Sequence, residues 1–136
     1  MSTRTLVLLK PDAVERGLIG AILARFEQKG LRVVAMELRT LDKATLERHY
    51  EEHVGKGFYA DLVAFMSRGP VVALALEGPE DTWEIVRTMM GATNPAKSAP
   101  GTIRGDFGTL FTENLVHGSD SADSAARELG IFFPAL

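Results

Sequence analysis

The chain has 136 residues, 46% of them hydrophobic and 24% charged, with a net charge of −3. Those values fit a single globular domain spanning residues 1–136 and exclude a disordered chain, a collagen or a disulfide scaffold. With 15 basic against 18 acidic residues, nucleic acid is not expected as the main ligand.

A folded chain of this mass buries about two-thirds of the surface it exposes when unfolded, so a core without staples is feasible. There is no cysteine, which excludes a disulfide, a zinc ribbon and a cysteine nucleophile. The first apolar run, Leu6 to Leu9, ends at Lys10-Pro11-Asp12. It is too short for a signal-peptide core or a membrane span, and the expected compartment is the cytoplasm.

Thr5 to Leu9 reads as a buried strand. Leu18, Ile19, Ile22, Leu23 and Phe26 repeat at helical spacing, and Gly30 suits the stop. Leu31 to Leu41 is rich in strand formers and alternates in part, with Val34, Met36 and Leu38 on one face. Asp42 is an N-cap for a short helix carrying Leu46 and Tyr50. A second helix holds Phe58, Leu62, Phe65 and Met66, and Gly69-Pro70 breaks it.

Val71 to Leu76 is a central strand. Pro79 suits the first turn of a helix with Trp83, Val86 and Met90 on its apolar face and Gly91 at its end. Ala92 to Glu113 shows no periodicity. A loop of that length in a small domain is usually functional. Leu115 to His117 forms a short strand. Ser121 caps a last helix that turns Ala125 and Leu129 inward and stops at Gly130. Without its insertions the order is βαββαβ. The expected fold is α+β and ferredoxin-like, a four-stranded antiparallel sheet with helices on one face.

The chain holds neither a Walker P-loop nor a G-x-G-x-x-G turn. Any phosphate would have to meet cationic side chains near chain breaks, and Lys10, Arg87 and Arg104 are the candidates. His49-Tyr50-Glu51-Glu52-His53 fits the H-x-x-E-H pattern of some zinc peptidases. A catalytic zinc would still need a third ligand and a larger cleft, so His49 and His53 read as surface or packing residues. Arg104-Gly105-Asp106 spells an adhesion tripeptide but is ordinary loop content. His117 ends a strand just before a turn into a helix. A mostly neutral imidazole there can attack phosphorus if a partner fixes its orientation, and Glu128 and Ser119 are near enough in sequence to be that pair. A structural, hydrogen-bonded histidine is the competing reading.

Asn114-Leu115-Val116-His117-Gly118-Ser119-Asp120-Ser121 resembles the signature of nucleoside diphosphate kinases. The likeness runs through Lys10-Pro11-Asp12, Arg16-Gly17-Leu18-Ile19-Gly20, Gly69-Pro70-Val71-Val72, Thr93-Asn94-Pro95 and Pro100 to Phe107. The chain is similar to the short bacterial members, which lack the C-terminal extension of eukaryotic ones. The resemblance implies ping-pong transfer of the γ-phosphate of ATP or another nucleoside triphosphate to a nucleoside diphosphate, by way of Nδ1 of His117.

It implies further that Ser119 and Glu128 support the histidine and that Tyr50 lies beside it. Lys10 and Asn114 would reach the ribose hydroxyl and nearby phosphate oxygens. Arg87, Thr93 and Arg104 would grip phosphates, and Phe58 would stack on the base. Mg²⁺ would be held mainly by phosphates and water, without a dedicated protein site. Few contacts to base edges imply broad base tolerance. The resemblance also implies a homo-oligomer, a hexamer rather than a tetramer. Three positions depart from the usual pattern: Gly57 stands for a proline, Tyr59 for a phenylalanine, and Phe111 for a small aliphatic residue near the base. The alternative function is a non-catalytic ligand-binding module on the same fold. An RNA-binding version is disfavoured because the central strands carry no aromatics.

Overall fold

A computed structural model describes residues 3–136. Its strands are β1 (Arg4–Leu9), β2 (Arg32–Arg39), β3 (Val71–Glu77) and β4 (Val116–Gly118). They form one sheet in the order β2-β3-β1-β4, and every pairing is antiparallel. The helices are α1 (Pro11–Glu15), α2 (Ile19–Gln28), α3 (Lys43–His49), α4 (Tyr59–Ser67), α5 (Thr82–Met90), α6 (Ile103–Phe107) and α7 (Ala122–Phe132). Short 3₁₀ turns occupy Glu51–His53 and Pro95–Lys97. Among the described residues no helix is long and apolar enough to cross a membrane.

Alternation along β1 divides the core in two. Val7 and Leu9 meet Leu74, Ile22, Phe26, Val86 and Met90. Leu6 and Leu8 meet Leu46, Tyr50, Met66 and Phe132. The crossover helices α2 and α5 thus share one face, as the βαββαβ plan requires. The second face is not bare, as helices on one face alone would leave it: α3, α4 and α7 cover its β1 and β3 part. The edge strand β2 keeps Met36 and Leu38 exposed.

Several elements differ from the sequence reading. Proline at the first helical position lets α1 begin at Pro11, where only a strand end was expected. The stretch from Ala92 to Glu113 holds α6 and a 3₁₀ turn, capped by Thr102 and Asn94 side chains. Pro79 lies before α5, and its carbonyl accepts a bond from Thr82 Oγ1 at 2.6 Å. The last helix runs through Gly130 to Phe132. An interior glycine costs roughly 1 kcal/mol, less than the roughly 2–3 kcal/mol gained by burying Phe132. The caps at Asp42 and Ser121 stand as expected, accepting from the amides of Thr45 and Ser124.

Candidate active site

Strand register aims His117. In β4, Leu8 pairs with His117 and Val7 with Gly118. Paired residues share a face, so His117 projects with Leu8 toward α3 and α7, while Gly118 faces α5. A Cβ on Gly118 would lie 2.7 Å from Met90 Sδ and 3.3 Å from Val86 Cγ1. Only a residue without a side chain lets α5 close on the strand there.

On the other face, His117 Nε2 is 2.8 Å from Glu128 Oε1. Ser119 Oγ donates to the same oxygen at 2.8 Å. Burial works against ionisation of Glu128, but the bond from His117, the facing imidazoles of His117 and His49 and the Ser119 hydroxyl outweigh it and hold the carboxyl below its ordinary value. An ionised carboxylate only accepts, so Nε2 carries a proton, and in the neutral ring the lone pair lies on Nδ1. Among the described residues Nδ1 has no hydrogen-bond partner. The ring opens on a cleft of about 300 Å³ that Arg87, Arg127, His49, Tyr50 and His53 also line.

The chain enters β4 under constraint. Leu115 has φ of 74°, a left-handed conformation that costs a branched residue about 1–3 kcal/mol. Two bonds to Leu115 itself and the guanidinium of Arg104 hold it there. Leu115 N donates to Asp12 Oδ2 at 3.1 Å, and Lys10 N donates to Leu115 O at 2.8 Å. The Arg104 guanidinium donates to the carbonyls of Asn114 and Val116 on either side, and to that of Gly91. Arg104 is 4% exposed, and burial followed by repulsion from Arg87 lowers it to about 10.

A second cleft, of about 320 Å³, is lined by Lys10, Asn114, Phe58, Phe111, Phe65 and Leu62, among others. Lys10 Nζ donates to Asn114 Oδ1 at 2.8 Å, and Asn114 Nδ2 donates to Thr93 O at 3.1 Å. Burial, then the Arg104 charge, lowers the Lys10 ammonium to about 8 against the pull of Asp12. Phe58 and Phe111 are both more than half exposed and serve this one cavity, which places the Phe111 departure beside the stacking candidate. Gly57 has open space around it, so nothing nearby demands a glycine.

The sequence matches the model of the family described as nucleoside diphosphate kinase over residues 3–136. The chain belongs to the nucleoside diphosphate kinase family. A nucleoside diphosphate kinase from Nocardioides sp. is 62% identical over 136 residues, covering 100% of both chains. One from Streptomyces griseus is 61% identical over 137 residues, 100% of this chain and 99% of its own. The crystal structure of a nucleoside diphosphate kinase family protein from Babesia bovis superposes with a TM-score of 0.93 at 48% identity, over 97% of this chain and 88% of that one. A halophilic nucleoside diphosphate kinase from Halobacterium salinarum, solved in complex with CDP, gives a TM-score of 0.93 at 46% identity, over 98% of this chain and 88% of that one.

The chain is therefore a nucleoside diphosphate kinase, transferring a nucleoside triphosphate's γ-phosphate to a nucleoside diphosphate through a phosphohistidine. The non-catalytic alternative is not favoured. Of the residues singled out in the sequence, His117, Glu128, Ser119, Arg87 and Tyr50 gather around the first cleft, and Lys10, Asn114 and Phe58 line the second. Thr93 meets this group through its carbonyl. Arg104 lines neither cleft and directs three guanidinium nitrogens at backbone carbonyls.

Three residues around the site were given no role in it by the sequence. Arg127 Nη2 lies 3.8 Å from Glu128 Oε2. Asp12 braces Leu115. The ring packed on His117 is that of His49, with centroids 4.7 Å apart at 84°, and Tyr50 packs on His49 at 4.4 Å. His49 is buried, and burial, then repulsion from His117, lowers its imidazole to about 3. Its adjacency to Tyr50 at a helix end was a signal toward this packing.

Proposed function

We propose that His117 Nδ1 attacks the γ-phosphorus, the bond to the β–γ bridging oxygen breaks, and the nucleoside diphosphate leaves with that electron pair. A second diphosphate then takes the phosphoryl group from Nδ1 by the reverse step. The observation that carries this reading is the chain from Nε2 to Glu128 to Ser119, which leaves Nδ1 with a lone pair at the mouth of a cleft. Glu128 also neutralises the positive charge the ring acquires as the N–P bond forms.

Phosphoryl transfer needs positioning and charge neutralisation above all. Arg87 lines the cleft and is steadied by the Gly118 carbonyl at 3.0 Å, so it is the cation best placed for the phosphates. Lys10 and Asn114 reach the ribose hydroxyl and adjacent oxygens. Arg104 adds charge from behind while bracing β4, and Thr93 completes the grip. Tyr50 holds His49 against His117. The base stacks on Phe58 with Phe111 opposite. Aromatic faces accept any base, which supports broad tolerance; the CDP complex of the Halobacterium salinarum relative supports a nucleotide as ligand.

Mg²⁺ comes with the nucleotide, held mainly by phosphate oxygens and water, and supplies further charge neutralisation. Asp120 and Glu52 at the cleft offer the hard oxygen atoms such an ion accepts. We read the chain as one cytoplasmic domain that assembles as a homo-oligomer, a hexamer rather than a tetramer. The exposed Met36 and Leu38 on edge strand β2 support association.

The test is phosphorylation with γ-labelled ATP and Mg²⁺ without acceptor, followed by a chase with GDP. Acid-labile label on His117 should pass to GDP and be absent from His117→Ala. Label that persists in that variant would overturn the assignment.

A further inference from the structure

The scheme above leaves a buried imidazole without a hydrogen bond. His49 is 4% exposed, yet neither Nδ1 nor Nε2 has a partner. Buried polar groups are almost always paired, and each exception calls for a cause such as a bound ion or a catalytic role. One ligand atom each from His49, His117 and Glu128 lie within 4.8 Å of one another. Two imidazoles and one carboxylate form the donor set of open zinc sites, which keep a fourth position for water. The cleft in front of His117 has room for that water. A hard cation such as Mg²⁺ prefers an oxygen shell and does not suit two nitrogens. The i,i+4 histidine pair of the sequence is not this site. Helix α3 ends at His49, and His53 turns its ring to Phe58 at 5.2 Å.

We propose that a zinc-class divalent cation binds His49, His117 and Glu128 and blocks phosphotransfer by occupying the nucleophile. A neutral imidazole has one in-plane lone pair. The ion binds Nε2, the nitrogen that faces Glu128, moves the ring proton to Nδ1 and replaces the bond to Glu128. No lone pair is then left on Nδ1 to attack phosphorus, and no net proton is released. His49 lends its lone pair to the ion and takes no part in the transfer itself. The consequence for activity rests on His117 being the nucleophile, whereas the binding site does not.

Binding is therefore measured apart from activity. Zn²⁺ alone is titrated into the full-length, metal-free protein without nucleotide, and X-ray absorption reads the ligands of the bound ion. One ion per chain with two imidazoles and oxygen ligands is expected. Losing a ligand should weaken binding by at least the roughly 10–100-fold that losing an outer-sphere partner does, so His49→Gln should bind at least that much more weakly, and His53→Ala as tightly as the parent. Zn²⁺ should slow labelling of His117 by Mg-ATP, and a chelator should restore it. Undiminished binding in His49→Gln, loss of binding in His53→Ala, or no stoichiometric binding would overturn the proposal. If His49→Gln does not fold, the absorption spectrum of the unaltered protein decides: a shell without two imidazoles refutes the site. Binding as expected with labelling unaffected would retain the site and refute the block.

Discussion

Replacing Glu128 by Gln keeps the shape of the side chain and removes its charge. In the resting enzyme, Oε1 accepts from His117 and Ser119, both at 2.8 Å. A hydrogen bond to a charged group is worth roughly 1.5–3 kcal/mol and a neutral one roughly 0.5–1.5, so the ground state loses about 1 kcal/mol per bond. The transition state loses more. As Nδ1 bonds to phosphorus the ring becomes cationic, and a unit charge pair about 4 Å apart at an effective dielectric of 20 is worth about 4 kcal/mol. The loss specific to the transition state is then about 2–4 kcal/mol, a fall of about 30- to 1,000-fold in the rate of phosphorylation. Nucleotide affinity should hardly change, because Glu128 faces the histidine. Folding stability should fall modestly at neutral pH, since the fold favours the ionised carboxylate and both bonds to it weaken. The assay is single-turnover phosphorylation by ATP, with nucleotide affinity measured independently. A rate within about threefold of the parent would falsify the claim that the carboxylate sets the tautomer and carries the ring charge.

Three further perturbations test the surrounding frame. Lys10, lowered to about 8, is charged below that pH and neutral above it, so kcat/KM should fall as pH rises through about 8 and Lys10→Arg should extend the plateau; a flat profile to about pH 10, near the ordinary lysine value, would refute the role. Gly118→Ala should cost about 1–3 kcal/mol in urea unfolding, because the new methyl meets Met90 and Val86, and unchanged stability would show that α5 gives way freely. Arg104→Lys keeps the charge and loses the fork on three carbonyls. It should cost about 2–3 kcal/mol in stability and slow phosphorylation as Leu115 relaxes, and a variant matching the parent in both would leave only the charge of Arg104 as relevant.

The sequence alone determined the strands, the helices with clear apolar faces and most of the site. Short-range physics fixes those features: Thr5 to Leu9 is apolar between polar ends, and Asp42 and Ser121 are oxygens poised to cap the next turn. His117, Glu128 and Ser119 were legible because they lie within 12 positions of one another and because the motif around them resembles that of a known family. Tertiary structure decided the rest. α1 and α6 have five residues each, too short for periodicity to reveal, and they depend on neighbours and caps rather than propensity. Gly130 stays helical because Phe132 has a core to enter. Arg104 was marked as a cation near a chain break, but only folding brings the carbonyls of Gly91, Asn114 and Val116 around its guanidinium. His49 was read on sequence as a surface or packing residue because its pairing with His53 lacked the third ligand and the cleft that a catalytic zinc needs. Its ring meets His117 from 68 residues away, a proximity set by the register of β4 on β1 and the seating of α3 on the same face, which no local pattern records.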